Sequence, residues 1–229
     1  AEDIDLYGIS LTKNIMGLSV GAEFSYRENM PLVSEPVTVL PFPSFMLPPG
    51  AVSAYPDSGE TGGARGNTMH SVLNFIGLIG PTPLFDTADY IVEFAWNRWD
   101  KVTQNEAVFK GRSGYNDIDK VDRNSYEIAV NFTPTWFQVF PSVDIKLPLS
   151  FSRGLSGNSA VVMGASEGAG NYSVGVSAEL YSKYFIDLKY IDFFGDYSKN
   201  PDGSMKTFNG PMAALSDRDM ISLTLKTTF

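Results

Sequence analysis

Cysteine is absent from the 229 residues and histidine occurs once, at His70. The first absence excludes a disulfide framework and any thiolate metal site, and the second excludes a multi-histidine metal centre. No run of about 18 apolar residues occurs, the longest candidate being Val72 to Gly80, so a transmembrane helix is excluded. Basic charge is scarce too. Seventeen Lys and Arg against 26 Asp and Glu leave a net charge of −9, which excludes a nucleic-acid partner whose phosphates need a basic face. The same charge favours solubility and does not by itself name a partner. A signal peptide is missing as well: Ala1-Glu2-Asp3-Ile4-Asp5 is acidic and passes straight into a strand pattern. The chain is therefore read either as mature or as beginning part-way through a longer protein.

What is present points to strands. Glycine (21), proline (14) and aromatics (13%) favour many strands and turns over helices. Apolar and polar or small residues trade places with a period of two along the whole chain. Tyr7, Ile9 and Leu11 share one face of a first strand. Val20, Ala22, Phe24 and Tyr26 oppose Gly21, Glu23, Ser25 and Arg27 in a second, and a third spans about Thr68 to Ile79. Tyr90, Val92, Phe94 and Trp96 oppose Glu93, Ala95 and Asn97; Tyr126, Ile128, Val130 and Phe132 oppose Glu127, Ala129 and Asn131. A sixth strand over Val143 to Ser152 contains Pro148, which cannot donate to a ladder and demands a bulge or an unpaired position there. Strands at Tyr172 to Leu180, Tyr184 to Tyr190 and Met220 to Phe229 bring the total to nine.

Alternation alone does not say which face points inward. A soluble barrel or sandwich buries its apolar face, whereas a membrane barrel turns it out to lipid. Two features favour the second arrangement, an all-β antiparallel transmembrane β-barrel. The apolar faces carry almost no charge, as lipid contact requires when a midplane Lys or Arg costs roughly 2–4 kcal/mol. The connections also alternate: Lys13 to Ser19, Gly80 to Thr87, Pro134 to Pro141 and Ser182 to Lys183 are short, while Glu28 to Asn67, Asp100 to Arg123, Gly154 to Ala169 and Gly195 to Asp217 are long. Aromatics gather near both sets of strand ends, with Trp136, Phe137, Phe140, Tyr181, Tyr184 and Phe229 at one and Tyr26, Trp96, Trp99, Phe193 and Phe194 at the other. An odd strand number places the two termini on opposite sides, whereas bacterial single-chain barrels have an even number. We therefore expect residues 1–229 to be one barrel domain forming the C-terminal portion of a longer protein, with 32–67 as a long Pro-rich outer loop.

On this reading the lumen-facing residues are Glu23, Arg27, His70, Asn74, Glu93, Asn97, Glu127, Asn131, Asp144, Lys146, Glu179, Asp187, Lys189 and Lys226. They either tune a pore or pair with one another in a filled interior, Glu127 near Lys146 and Glu179 near Asp187 and Lys189. A short turn centred near residues 83 and 84 sets His70 opposite Asn97 and Asn74 opposite Glu93. A hydrolase would need a serine beside His70, and Ser71 points to the other face, so an enzyme is not expected. Val39, Leu40, Phe42, Phe45, Met46 and Leu47 form a greasy, proline-stiffened stretch where an outer loop should be polar, and are read as a plug or constriction. Asp117, Asp119 and Asp122 lack the Gly and distal Glu of a calcium loop. Gly59-Glu60-Thr61-Gly62-Gly63 lacks the Lys-Ser or Lys-Thr of a phosphate loop. No metal or cofactor is expected.

Several ordered motifs carry a resemblance: Ile4-Asp5-Leu6-Tyr7-Gly8-Ile9-Ser10-Leu11; Gly21-Ala22-Glu23-Phe24-Ser25-Tyr26-Arg27-Glu28-Asn29-Met30-Pro31-Leu32; Gly80-Pro81-Thr82-Pro83-Leu84-Phe85-Asp86 with Glu93-Phe94-Ala95-Trp96-Asn97-Arg98; and Asp217-Arg218-Asp219-Met220-Ile221-Ser222-Leu223. Together they resemble the C-terminal half of a proteobacterial outer-membrane family, a domain-of-unknown-function family often encoded beside a LolB-like periplasmic protein and an RND-type inner-membrane transporter. The resemblance implies the outer membrane of a Gram-negative bacterium and a part in moving lipids or other hydrophobic compounds, or else a non-conducting barrel that docks in an envelope complex. The partners it implies are outer-membrane lipid and lipopolysaccharide, the barrel assembly machinery, a periplasmic lipid-carrier protein and an inner-membrane transporter. Leu223, Leu225 and Phe229 read as a barrel-closing signal, with Thr227 standing where such strands usually carry an aromatic.

Overall fold

The computed structural model describes residues 3–48, 51–54 and 62–228. Strands β1 (Leu6–Ile15), β2 (Leu18–Pro31), β3 (Thr38–Leu40), β4 (Ala51–Ser53), β5 (Arg65–Ile79), β6 (Thr87–Gln104), β7 (Asn124–Phe140), β8 (Val143–Lys146), β9 (Leu149–Ser156), β10 (Gly170–Leu180), β11 (Tyr184–Phe194), β12 (Tyr197–Lys199), β13 (Met205–Phe208) and β14 (Met220–Thr227) are joined by one short helix, α1 (Gly210–Ala213). Ten strands form a single antiparallel sheet in the order β1-β2-β5-β6-β7-β8-β10-β11-β14, with β9 between β7 and β10. β8 and β9 are two halves of one traverse, so the chain crosses the sheet nine times. The remaining strands make two small pairs, β12 with β13 and β3 with β4.

Proline chemistry explains the split. Leu147 and Pro148 lie between β8 and β9, and Pro148 offers no N–H to β10. Its carbonyl still accepts from Gly175 N at 2.9 Å, and Leu147 N donates to Pro134 O at 2.9 Å, so the traverse continues past an unpaired position as the sequence demands.

The short connections lie at one end of the sheet. Met16 (φ 53) and Gly17 (φ 87) join β1 to β2, and Tyr181 (φ 53) and Ser182 (φ 52) turn the chain toward β11. Two successive left-handed residues match the right-handed twist of the flanking strands. The β7–β8 connection is Pro141-Ser142 alone, since β7 runs on to Phe140 with a register shift between Trp136 and Phe140. The turn expected over Pro134 to Pro141 is thus mostly strand. That shift places Glu127 opposite Gly154, not beside Lys146, which pairs with Thr135 and Ser177.

Burial is inverted relative to a soluble sandwich. Apolar side chains of the sheet are largely open: Ile9 is 73% exposed, Leu188 49% and Leu225 70%. On the opposite face, Thr68 and Ser125 are fully buried. The hydrophobic core lies beneath the long loops, where Leu32, Ala64, Phe109, Val121 and Ala160 pack together with Val33, Trp99, Val102 and Val108 against them. Trp99 has the parity of Glu93 and Asn97, so it enters this cluster, meeting Phe109 edge-to-face at 5.2 Å between ring centroids, instead of joining an aromatic girdle.

Candidate functional site

Register aligns the polar residues in rows across the sheet. One row runs Gly21, Asn74, Glu93, Ala129, Ser152, Asn171 and Phe193; the next runs Glu23, Val72, Ala95, Glu127 and Gly154; a third runs Ser25, His70, Asn97 and Ser125. His70 stands opposite Asn97 and Asn74 opposite Glu93. Asn131 lies across from Ser150. Asp144 faces Glu179 and Lys146 faces Ser177, whose hydroxyl donates to Asp187. Lys189 pairs with Ser222 and Lys226 with Phe185, whose ring its ammonium overlies. The fourteen residues read from the sequence as lumen-facing therefore share one face of the sheet. Among the described residues none of these charges belongs to a close ion pair; Asp187 and Glu179 are diagonal neighbours, with Lys189 one step further along.

His70 hydrogen-bonds within its own strand and stands opposite Ser25. Its Nε2 lies 2.9 Å from Thr68 Oγ1 in a hydrogen bond. Ser71 falls on the apolar face, opposite Phe24 and Trp96.

Four long loops fold over the polar face at the far end from the short turns. Ser159 donates to Asn97 Oδ1 at 3.0 Å, and Asn171 Nδ2 reaches Met212 Sδ at 4.0 Å, which ties the loops to the polar rows. Buried Asn158 is a second tie. Its backbone N–H donates to Asp122 Oδ2 at 2.9 Å, its Nδ2 to Ile118 O and Lys120 O, and its Oδ1 accepts from Glu167 N. Leu32 bridges to Val161 and Ser34 to Phe109, so the first three long loops are stitched by backbone as well.

Asp117 is the hub of the outermost layer. Its carboxylate accepts from Ser198 Oγ and Thr207 Oγ1 at 2.9 Å each, from Lys206 Nζ at 2.8 Å and from Ile118 N at 2.9 Å. Those donors, led by Lys206, hold its pKa well below the usual carboxylate range. Asp119 accepts from Lys110 and from Tyr115 Oη, and burial together with that bond pushes the Tyr115 phenol up. The acidic cluster is therefore occupied by structural donors; among the described residues no group of three potential metal ligands occurs.

The Pro-rich segment is largely exposed among the described residues. Phe45 is 87% exposed, and Val39, Phe42 and Met46 are exposed too, with Leu40 and Leu47 partly covered. β3 and β4 pair in parallel there, and Ser53 Oγ donates to Phe42 O at 2.8 Å. Val39 to Leu47, read from the sequence as a plug or constriction, thus lie largely open, while Ser159, Ala160 and Phe109 of the other long loops are buried, small or single residues in polar loops that have no periodicity to betray them. Gly59 to Thr61 and Phe229 lie outside the described residues, while Leu223 and Leu225 sit on β14 opposite Leu188 and Ile186.

A family model described as "Protein of unknown function (DUF1302)" matches residues 1–229. No curated protein and no solved structure matches the chain.

Proposed function

We propose that this chain, which belongs to the DUF1302 family, forms the wall of an outer-membrane β-barrel that passes lipids or other hydrophobic compounds, with the four inward-folded loops as its gate. One observation carries the reading: large apolar side chains of one face are exposed, whereas Thr68, Ser125, Thr135 and Ser173 of the polar face are buried and most of its charged residues are half-buried. Water would penalise Ile9, Leu11, Val176, Leu188, Leu223 and Leu225 together, at about 25 cal/mol per Å². Lipid removes that penalty. Strands β1, β10 and β11 have 10, 11 and 11 residues, the length that crosses a bilayer when tilted. Exposed Phe137, Phe140, Tyr181 and Tyr184 at the short-turn end suit a membrane interface. The hydrophobic class of solute rests on the family resemblance.

These 229 residues hold no cysteine, so a clean test is possible once any cysteine elsewhere in the full-length protein is replaced. Single-Cys variants of the full-length protein in proteoliposomes are labelled with a lipid-soluble or a water-soluble maleimide. Leu188→Cys should react with the first and Lys189→Cys with the second; equal labelling of both by the aqueous reagent refutes a lipid-facing apolar row.

A second reading, a non-conducting barrel that docks in an envelope complex, is favoured by one feature, the exposed Phe42, Phe45 and Met46 of the Pro-rich loop. A protein that inserts yet passes neither ions nor labelled lipid, with the gate loops or without them, belongs to this second class.

A further inference from the structure

Arg27 differs from four cations of the long loops. Lys110, Arg112, Arg123 and Lys206 each lie beside a carboxylate, whereas Arg27 has no ion pair among the described residues and its Nε is buried with no hydrogen-bond partner. A buried guanidinium donor left unsatisfied costs free energy, and an acceptor from solution would meet Arg27 where the side chain lines open space.

The surroundings supply room for one. A cavity of about 410 Å³ opens along β1, β2 and β5 at the edge of the sheet, lined mainly by polar-face residues with Ile9 and Phe24 of the apolar face at its margin, within the size range of small-molecule sites. Arg27, Ser25, Ser10 and His70 line it together with the Glu23 carboxylate, which stands opposite Ser10, and Leu6 and Val72 are apolar walls. Register sets Leu6 opposite Arg27, Gly8 opposite Ser25 and Ser25 opposite His70, so small residues leave space next to the guanidinium and apolar ones flank it. A guanidinium fork matches the planar or tetrahedral oxygens of carboxylate and phosphate.

We propose that Arg27 and this cavity bind the anionic headgroup, carboxylate or phosphate, of a single-chain amphipathic solute, with Ser10 and Ser25 as auxiliary hydroxyl donors and Leu6 and Val72 against the first methylenes. The proposal deepens the transport reading and rests on it for the solute's apolar part.

The test uses full-length protein in detergent and a spin-labelled stearate as probe, with a dodecyl phosphate, a neutral long-chain alcohol and inorganic phosphate as competitors. Wild type should bind stearate and release it to dodecyl phosphate, but not to the alcohol or to inorganic phosphate at equal concentration. Arg27→Gln should weaken stearate binding roughly tenfold, the scale of a lost charged hydrogen bond, and Arg27→Lys should recover part of it. Unchanged heat-modifiable gel mobility confirms that each variant is folded; should Arg27→Gln fail that control, the competitor series and Arg27→Lys decide. Equal affinity of wild type and Arg27→Gln overturns the proposal, as does displacement by inorganic phosphate, which would mark a free-anion site. Because binding is read in detergent, its failure is distinct from failure of the protein to insert in lipid or pass solute, which bears on the transport reading alone.

Discussion

Ser159 Oγ and Asn97 Oδ1 meet at 3.0 Å across 62 residues of sequence. Asn97 belongs to the row that includes His70 and Ser125, and Ser159 sits in the loop between β9 and β10. One hydroxyl thus joins the cap of loops to the polar face.

Removing that bond should loosen the cap without harming the sheet. Ser159→Ala forfeits about 1 kcal/mol, and its Oγ also accepts from Val161 N at 3.0 Å, so the loop loses two ties. Single-channel recording of the full-length protein should show more frequent or larger openings in Ser159→Ala and a further rise on deletion of 158–166. Deletion of Pro36 to Pro48 should leave the trace near wild type, since Phe45 and Met46 are exposed. A larger effect of the Pro-rich deletion would return the constriction to that segment.

Among the described residues Phe109 is the one aromatic of the loop core that is almost fully buried, and it meets Trp99 edge-to-face. Phe109→Ala should cost the loop cluster about 3 kcal/mol through lost burial and a cavity. Hydrogen exchange should quicken over 105–123 and 157–165, with β10 and β11 unaffected. Uniform quickening along the sheet would mean that cap and wall unfold as one unit.

Asp117 makes the outer layer sensitive to acid. Its folded pKa is depressed by Lys206, Ser198, Thr207 and the Ile118 amide, so its stabilising contribution is fully present above the unfolded carboxylate value of about 4 and fades as pH falls below it. Limited proteolysis within 195–209 should be slow at pH 7 and rise at acid pH in wild type. Asp117→Asn should be cleaved quickly at both pH values, which flattens the profile. A wild-type profile that is flat to pH 2 would contradict this role.

Most of the wall is legible in the sequence, because a side-chain period of two is imposed wherever the two faces of a strand meet different media. Tyr90, Val92 and Phe94 against Glu93 and Ala95 leave one register choice for β6, and the Thr82-Pro83-Leu84 turn then sets His70 opposite Asn97. The break at Pro148 follows from its missing N–H. The β7–β8 turn is misplaced because Pro134 and Pro141 suggest a loop between them, while the ladder tolerates Pro134 through its carbonyl. The cap escapes notice because Ser159, Ala160 and Asn158 act through single long-range contacts that leave no periodic trace. The greasy Val39 to Leu47 stretch draws attention on composition alone, which says that it is apolar and not what it touches.

The inverted burial makes a sharp prediction at Leu188. In water a residue 49% exposed on a sheet face tolerates lysine at little cost, within about 0.5 kcal/mol. Against lipid the same substitution near mid-strand should cost roughly 2–4 kcal/mol, because the ammonium must be dehydrated or snorkel along the strand. Its neighbour Ile186 is equivalent, whereas Ser177, opposite Asp187 on the polar face, should accept lysine with little loss. Urea titration of folding into short-chain lipid vesicles distinguishes the cases: a shifted midpoint for Leu188→Lys and Ile186→Lys but not for Ser177→Lys assigns the apolar face to the bilayer. Equal and small shifts at all three positions would place both faces in water and leave the exposed leucines to be covered by protein.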